Sequence, residues 1–141
     1  MKESLEELKK LILEQEINVN KVKELHINFV KNELKNQHCV DNYIGDFPTF
    51  IEPVFLGDNV KIGDDVLIGP NVYIGNNCKI GDYVELVNTI LFDNIEIGEN
   101  FTLDNCIIAP QSKLRFNNLK AFNSILKGEA DSEQSTEIIS F

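Results

Sequence analysis

Aliphatic or aromatic residues recur every six positions at Phe50, Leu56, Ile62, Ile68, Ile74, Ile80 and Leu86. Glycine follows five of them, at Gly57, Gly63, Gly69, Gly75 and Gly81. Two positions ahead of each, from Leu56 onward, stands a second compact apolar residue: Val54, Val60, Val66, Val72, Cys78 and Val84. An offset of two puts both side chains on one face of a short extended segment, so each hexad has an inward pair and outward polar residues. A helix cannot hold a period of six, because the apolar positions drift round a 3.6-residue turn. Between the pairs lie Gly57-Asp58-Asn59, Gly63-Asp64-Asp65, Gly69-Pro70-Asn71 and Gly75-Asn76-Asn77. Glycine and Asn or Asp tolerate corner conformations better than other residues, so this is turn chemistry at every sixth step. Three segments and three corners close a triangular coil, and successive coils stack by parallel hydrogen bonding.

Past Leu86 a longer period takes over. Asn88-Thr89-Ile90-Leu91, Asn105-Cys106-Ile107-Ile108 and Asn123-Ser124-Ile125-Leu126 are variants of one motif, with their asparagines 17 and then 18 residues apart. One copy per coil follows, with a five-residue side from Leu86 to Leu91 accounting for the shorter repeat. Asn88, Asn105 and Asn123 are then expected to stack in register and to hydrogen-bond along the ladder. The expected fold is an all-β solenoid, a parallel β-helix of about four to five triangular coils after a small α-helical segment.

The chain divides into residues 1–44, helical in pattern; 45–127, the β-helix; and 128–141, an acidic tail expected to be flexible. In the first segment Ser4-Leu5-Glu6-Glu7 reads as a capping box with Leu5, Leu8 and Ile12 on one stripe. Asn18 or Asn20 starts a second helix carrying Val22, Leu25 and Phe29, with Ile27, Val30 and Leu34 on another side. That helix is too apolar to stand alone. It has the first coil, the first helix or another subunit to pack on, and the open edge of the first coil favours a cap there.

Charge narrows the partners. The formal net charge is −10 and the acids outnumber the bases 23 to 13, which removes nucleic acid and anionic membranes as electrostatic partners. No apolar run reaches the roughly 20 residues of a membrane span. Cys39, Cys78 and Cys106 form no metal or redox spacing and read as core cysteines of a reducing, cytoplasmic compartment. His26 and His38 lie in the helical segment, without a ligand set for a metal. Between Asp104 and Glu129 the only charged residues are Lys113, Arg115, Lys120 and Lys127. This cationic strip is the candidate phosphate contact, since Arg and Lys pair with phosphate through charge-assisted bonds.

The hexads resemble the left-handed β-helix of the hexapeptide-repeat superfamily, which includes acyltransferases and the C-terminal domains of sugar-phosphate nucleotidyltransferases. The nearest pattern is that of nucleotide-sugar pyrophosphorylases: Pro53-Val54-Phe55-Leu56-Gly57 through Val60-Lys61-Ile62-Gly63, then Val87-Asn88-Thr89-Ile90-Leu91. The resemblance implies left-handed coils and a homo-oligomer, trimeric before dimeric. It also implies a module that binds or regulates a nucleotidyltransferase-type partner, because the first glycine is Gly45 and no glycine-rich nucleotide loop precedes the repeat. The alternative it carries is an acyltransferase taking acetyl-CoA. Such enzymes commonly use a coil histidine as base, and no histidine follows His38, so no catalytic residue is assigned. Asp93, Glu96 and Asp104 read as solvated outer carboxylates.

Overall fold

The computed structural model describes residues 1–41 and 43–141. It is a parallel β-solenoid of about five turns, of the left-handed β-helix type, with a helical segment ahead of it. Side A of the prism carries His38–Cys39, Val54–Leu56, Val72–Ile74, Thr89–Leu91, Ile107–Ile108 and Ser124–Lys127, and ends on Glu137–Ser140. Side B carries Tyr43–Ile44, Val60–Ile62, Lys79–Ile80, Glu96–Ile97, Lys113–Leu114 and Glu129–Ala130. Side C carries Thr49–Phe50, Leu67–Ile68, Glu85–Val87, Phe101–Asp104 and Leu119–Phe122. Every pairing is parallel except the last, where Glu137–Ser140 runs antiparallel to Ser124–Lys127.

The inward pairs read from the sequence are all buried, from Val54 and Leu56 to Val84 and Leu86. The corners work differently from the expectation. At each of these corners the residue two after the hexad glycine is left-handed: Asn59, Asp65, Asn71 and Asn77 have φ between 55° and 65°, and of the hexad glycines only Gly69, at φ 108°, also takes a positive φ. The same role passes upward to Tyr83, Asn88, Asn94, Asn100, Asn105, Gln111, Asn118 and Asn123. Most hexad glycines are needed for a different reason, the close approach of the next coil. A Cβ on Gly81 would sit 2.8 Å from the Glu99 nitrogen, and backbone cannot swing aside as a flexible side chain can. From Tyr83 onward the step across side C shortens from six residues, Asp65 to Asn71, to five, Tyr83 to Asn88 and Asn100 to Asn105. The residue after each tight corner is then small and donates back to the carbonyl two residues earlier. Thr89 Oγ1 reaches Val87 O at 2.7 Å, Cys106 Sγ reaches Asp104 O at 3.4 Å, and Ser124 Oγ reaches Phe122 O at 2.8 Å.

The asparagine stack forms in part and extends one coil further down. Asn71 Nδ2 donates to Asn88 Oδ1 at 2.9 Å and Asn105 Nδ2 to Asn123 Oδ1 at 2.8 Å. Between them Asn88 Nδ2 turns to Asp104 Oδ1 at 3.2 Å.

Side A decides where the helices go. Its outward column, by register, is Phe55, Tyr73, Ile90, Ile107, Ile125 and Ile139. Ile90, Ile107 and Ile125 are nonetheless fully buried, so this side is covered. The cover is α1 (Lys2–Ile12), α2 (Val19–Asn28) and a π-turn (Phe29–Glu33) that continues α2. Leu5, Leu8, Ile12, Val22, Phe29, Val30 and Leu34 join one core with the coils. Phe29 meets Tyr73 edge-on at 5.8 Å, and Lys127 Nζ donates to Ile12 O at 3.1 Å. The helices thus lie along a flat side and do not cap the first coil as expected. Each buried isoleucine contributes roughly 1.5–3 kcal/mol that solvent exposure would forfeit. Asn18 caps α2, its side chain accepting the Lys21 N–H at 3.2 Å. Ser4 does not act as a cap; α1 starts at Lys2, and the Ser4 hydroxyl donates to Glu33 instead.

Two boundaries shift. The first coil opens at His38, inside the segment expected to be helical, because His38↔Val54 and Tyr43↔Val60 already pair. Residues 128–141, expected as a flexible tail, supply a last strand on side B and the returning strand on side A. Ile138 and Ile139 pair with the coil there, while Glu137 faces Lys127 at 3.7 Å. No helix is long and apolar enough to cross a membrane among the described residues.

Ile68 is fully shielded between Phe50 and Leu86. Ile68→Asp strands a carboxylate there and is expected to lower unfolding stability by about 4 kcal/mol or more in urea titrations. A near-neutral result would reverse the inward assignment.

Candidate functional site

The four cations of the sequence strip do not form one surface. Lys113 and Arg115 sit on and just beyond side B, Lys120 on side C, and Lys127 on side A. Lys113 Nζ donates to the Asn94 carbonyl, and its strand neighbours in register are Glu96 below and Glu129 above. Arg115 Nε pairs with Glu96 at 3.3 Å. Lys127 is committed to Ile12 O and Glu137. Acids therefore interleave with the cations, and only Lys113 and Arg115 share a side.

The coil carboxylates Asp93, Glu96 and Asp104, expected only to be solvated, have structural tasks. Asp93 Oδ1 accepts the Asn76 N–H at 2.8 Å, Glu96 accepts from Arg115, and Asp104 accepts from Asn88. His38 lies 3.4 Å from Glu52 on the first coil. Among the described residues no group of three or more His, Cys, Asp or Glu is arranged to hold a metal ion.

His26 is the residue whose position sequence reasoning missed. It lies on α2, yet it is fully buried against the corner of Asn88 and Asn105 and meets Phe141 edge-on at 5.6 Å. Neither ring nitrogen has a hydrogen-bond partner among the described residues. Desolvation pulls its pKa down to about 4; the Asn88 backbone and the Asn105 side chain oppose the shift without reaching hydrogen-bond geometry. A signal existed in the sequence: Thr-Ile-Leu, Cys-Ile-Ile and Ser-Ile-Leu are apolar on both faces of a strand, which asks for a cover on the outside. The helix stripe including His26 is that cover. Cys78 and Cys106 are buried thiols, each pushed up to about 11 by desolvation, and Cys39 is half-buried.

Two concavities border the coils among the described residues. An open groove of about 600 Å³ runs up side B past Lys61 and Lys79 on one flank and Asp46, Asp64, Asp82 and Glu99 on the other. A more enclosed cleft of about 400 Å³ lies between α1 and the A–B corner. Its floor is Tyr73, Asn76, Phe92, Asp93, Asn94, Pro110 and Gln111, and α1 contributes Lys2, Leu5, Glu6 and Lys9. Burial first, and then the charge of Asp93, push the Tyr73 hydroxyl above its ordinary value.

Compared with known proteins, residues 50–136 match the family model described as the GMPPB C-terminal domain. No curated protein and no solved structure matches the chain.

His26 gives the site a pH signature. Its folded pKa lies below the unfolded value of 6.5, so the unfolded chain binds the extra proton between the two. The stability held above pH 6.5 is therefore lost as pH falls from about 6.5 toward 4, by up to about 3 kcal/mol. Melting temperatures measured across that window should fall in the native protein, and the fall should be largely absent in His26→Leu. An equal fall in both would place the acid sensitivity elsewhere.

Proposed function

The chain belongs to the GMPPB C-terminal domain family, and from that premise we propose that it is a β-helix module of the nucleotide-sugar pyrophosphorylase type. It self-associates and serves a nucleotidyltransferase-type enzyme in sugar-nucleotide metabolism, and is not itself the catalyst. The family match carries the reading. Residues ahead of the match build two helices and the first coil, and their first glycine is Gly45, so they offer no glycine-rich nucleotide loop. The proposed setting is the cytoplasm, where three free thiols persist.

The first coil supports a docking role. Phe47 turns its corner with φ 53° while 93% exposed. A left-handed bulky residue costs about 1–2 kcal/mol, and here no burial offsets it. Ile44, 63% exposed, and Ile51, 45% exposed, lie on the same coil. Three apolar residues placed against the interests of folding suit a surface covered in an assembly. Since side A is occupied by the chain's own helices, association through flat sides falls to B and C, with a trimer favoured over a dimer.

Acetyl-CoA-dependent acyl transfer gains no comparable support. Of the two histidines, His26 is enclosed and His38, on the first coil, lies beside Glu52, while Lys113, Arg115, Lys120 and Lys127 are divided among three sides. For a phosphate-bearing ligand the reading keeps Lys113 and Arg115 together on side B.

Light scattering at micromolar concentration should return a multiple of the 16.0 kDa chain. Phe47→Asn, whose new side chain tolerates the left-handed corner, should shift the mass toward monomer while the melting temperature holds or rises. A native monomer would contradict the self-association.

A further inference from the structure

We propose that the cleft between α1 and the A–B corner binds a neutral saccharide, a hexose or a short chain of hexoses. This goes beyond the assembly role and holds whether or not the chain self-associates, so each can fail without the other.

The upper part of this corner leaves side-chain amides outside the stack. Lower on the same corner, Asn59 Nδ2 donates to Asn77 Oδ1 at 2.9 Å, and the stack is satisfied. That bond is not repeated at Asn94 and Gln111 among the described residues, although both continue the corner with φ 61° and 67°. Asn94 and Gln111 line the cleft instead. Asp93 spends one oxygen on the Asn76 N–H, which leaves its second oxygen as an acceptor. Planar amides and a carboxylate, each able to present adjacent donors and acceptors, are the groups that pair with neighbouring hydroxyls of a polyol.

The rest of the cleft combines apolar surface with charges that balance. Tyr73, Leu5 and Phe92 supply a ring and hydrocarbon surface for the C–H face of a pyranose. The ion pair of Lys9 and Glu6, at 3.3 Å, cancels within α1, the Met1 ammonium that also lines the cleft is paired with Glu33 at 3.3 Å, and Lys2 and Asp93 add one charge of each sign. With no excess of positive charge, a phosphate group has no claim on this cleft, whereas an uncharged polyol does. The volume of about 400 Å³ falls in the lower part of the range typical of small-molecule sites.

The test is a titration of ¹⁵N-labelled full chain with free glucose, mannose, galactose and maltose at millimolar concentration, with inorganic phosphate as a charged probe. The side-chain NH₂ signals of Asn94 and Gln111 should shift with at least one sugar, together with amides of α1 and the A–B corner. Asn94→Gly and Gln111→Gly keep the left-handed backbone while deleting the carboxamides. Each should weaken the sugar affinity by roughly three- to tenfold. No shift with any of the four sugars would overturn the proposal. So would shifts confined to other surfaces, or phosphate perturbing the cleft more than the sugars do at equal concentration.

Discussion

Parallel strands stacked coil upon coil sit at a fixed spacing of about 4.8 Å, and each coil must repeat the path of the one beneath it or break its hydrogen bonds. Nearly every local feature of the molecule answers to that constraint. It selects glycine at Gly57, Gly63, Gly75 and Gly81, where the next coil leaves no space for a Cβ. It selects a left-handed residue at each turn, mostly asparagine, and stacks the inward pairs in a column that is apolar apart from small polar residues such as Thr89, Ser112 and Ser124. It also explains how 17- and 18-residue coils coexist: a side can lose a residue provided that the next inward side chain is small and satisfies the tightened corner, as Thr89, Cys106 and Ser124 do.

The three sides are chemically unequal, and function follows from that inequality. Side B shows Lys61, Lys79, Glu96, Lys113 and Glu129 in one outward column, a face of mixed sign. Side A shows aromatics and isoleucines, and could not face water; the chain folds its own first 34 residues over it and closes the top with a returning strand. The cover creates the molecule's two unusual environments. One is the sealed pocket of His26. The other is the cleft under α1, where the helix edge meets a corner whose amides are unspent.

Much of the solenoid was legible in the sequence, because a strict period of six with two inward positions admits few structures. The coil repeat at Asn88, Asn105 and Asn123 was legible for the same reason. The exchange of roles at the corner was not: Gly and Asn both read as turn residues, and only the backbone angles show that Asn turns while Gly yields space. The placement of the helices was missed because an apolar stripe states that it will be buried and not against what. The isoleucines at 90, 107 and 125 held the missing half of that statement. Residues 128–141 were misjudged on charge alone, since Ile138 and Ile139 pair in an antiparallel strand that the acids do not prevent. The cationic strip was a fact of sequence order that a three-sided coil distributes round the prism. No periodicity could have revealed the cleft, which depends on α1 crossing the A–B corner.

The central claim is that helices and coils form one cooperative core through the outer face of side A. Native-state hydrogen exchange followed residue by residue tests it most directly. The account predicts that amides of α1 and α2 around Leu8, Ile12 and Val22 share the opening free energy of Ile90, Ile107 and Ile125, all exchanging through global unfolding. Helices that exchange within the fast, local regime while the coils stay protected would contradict it.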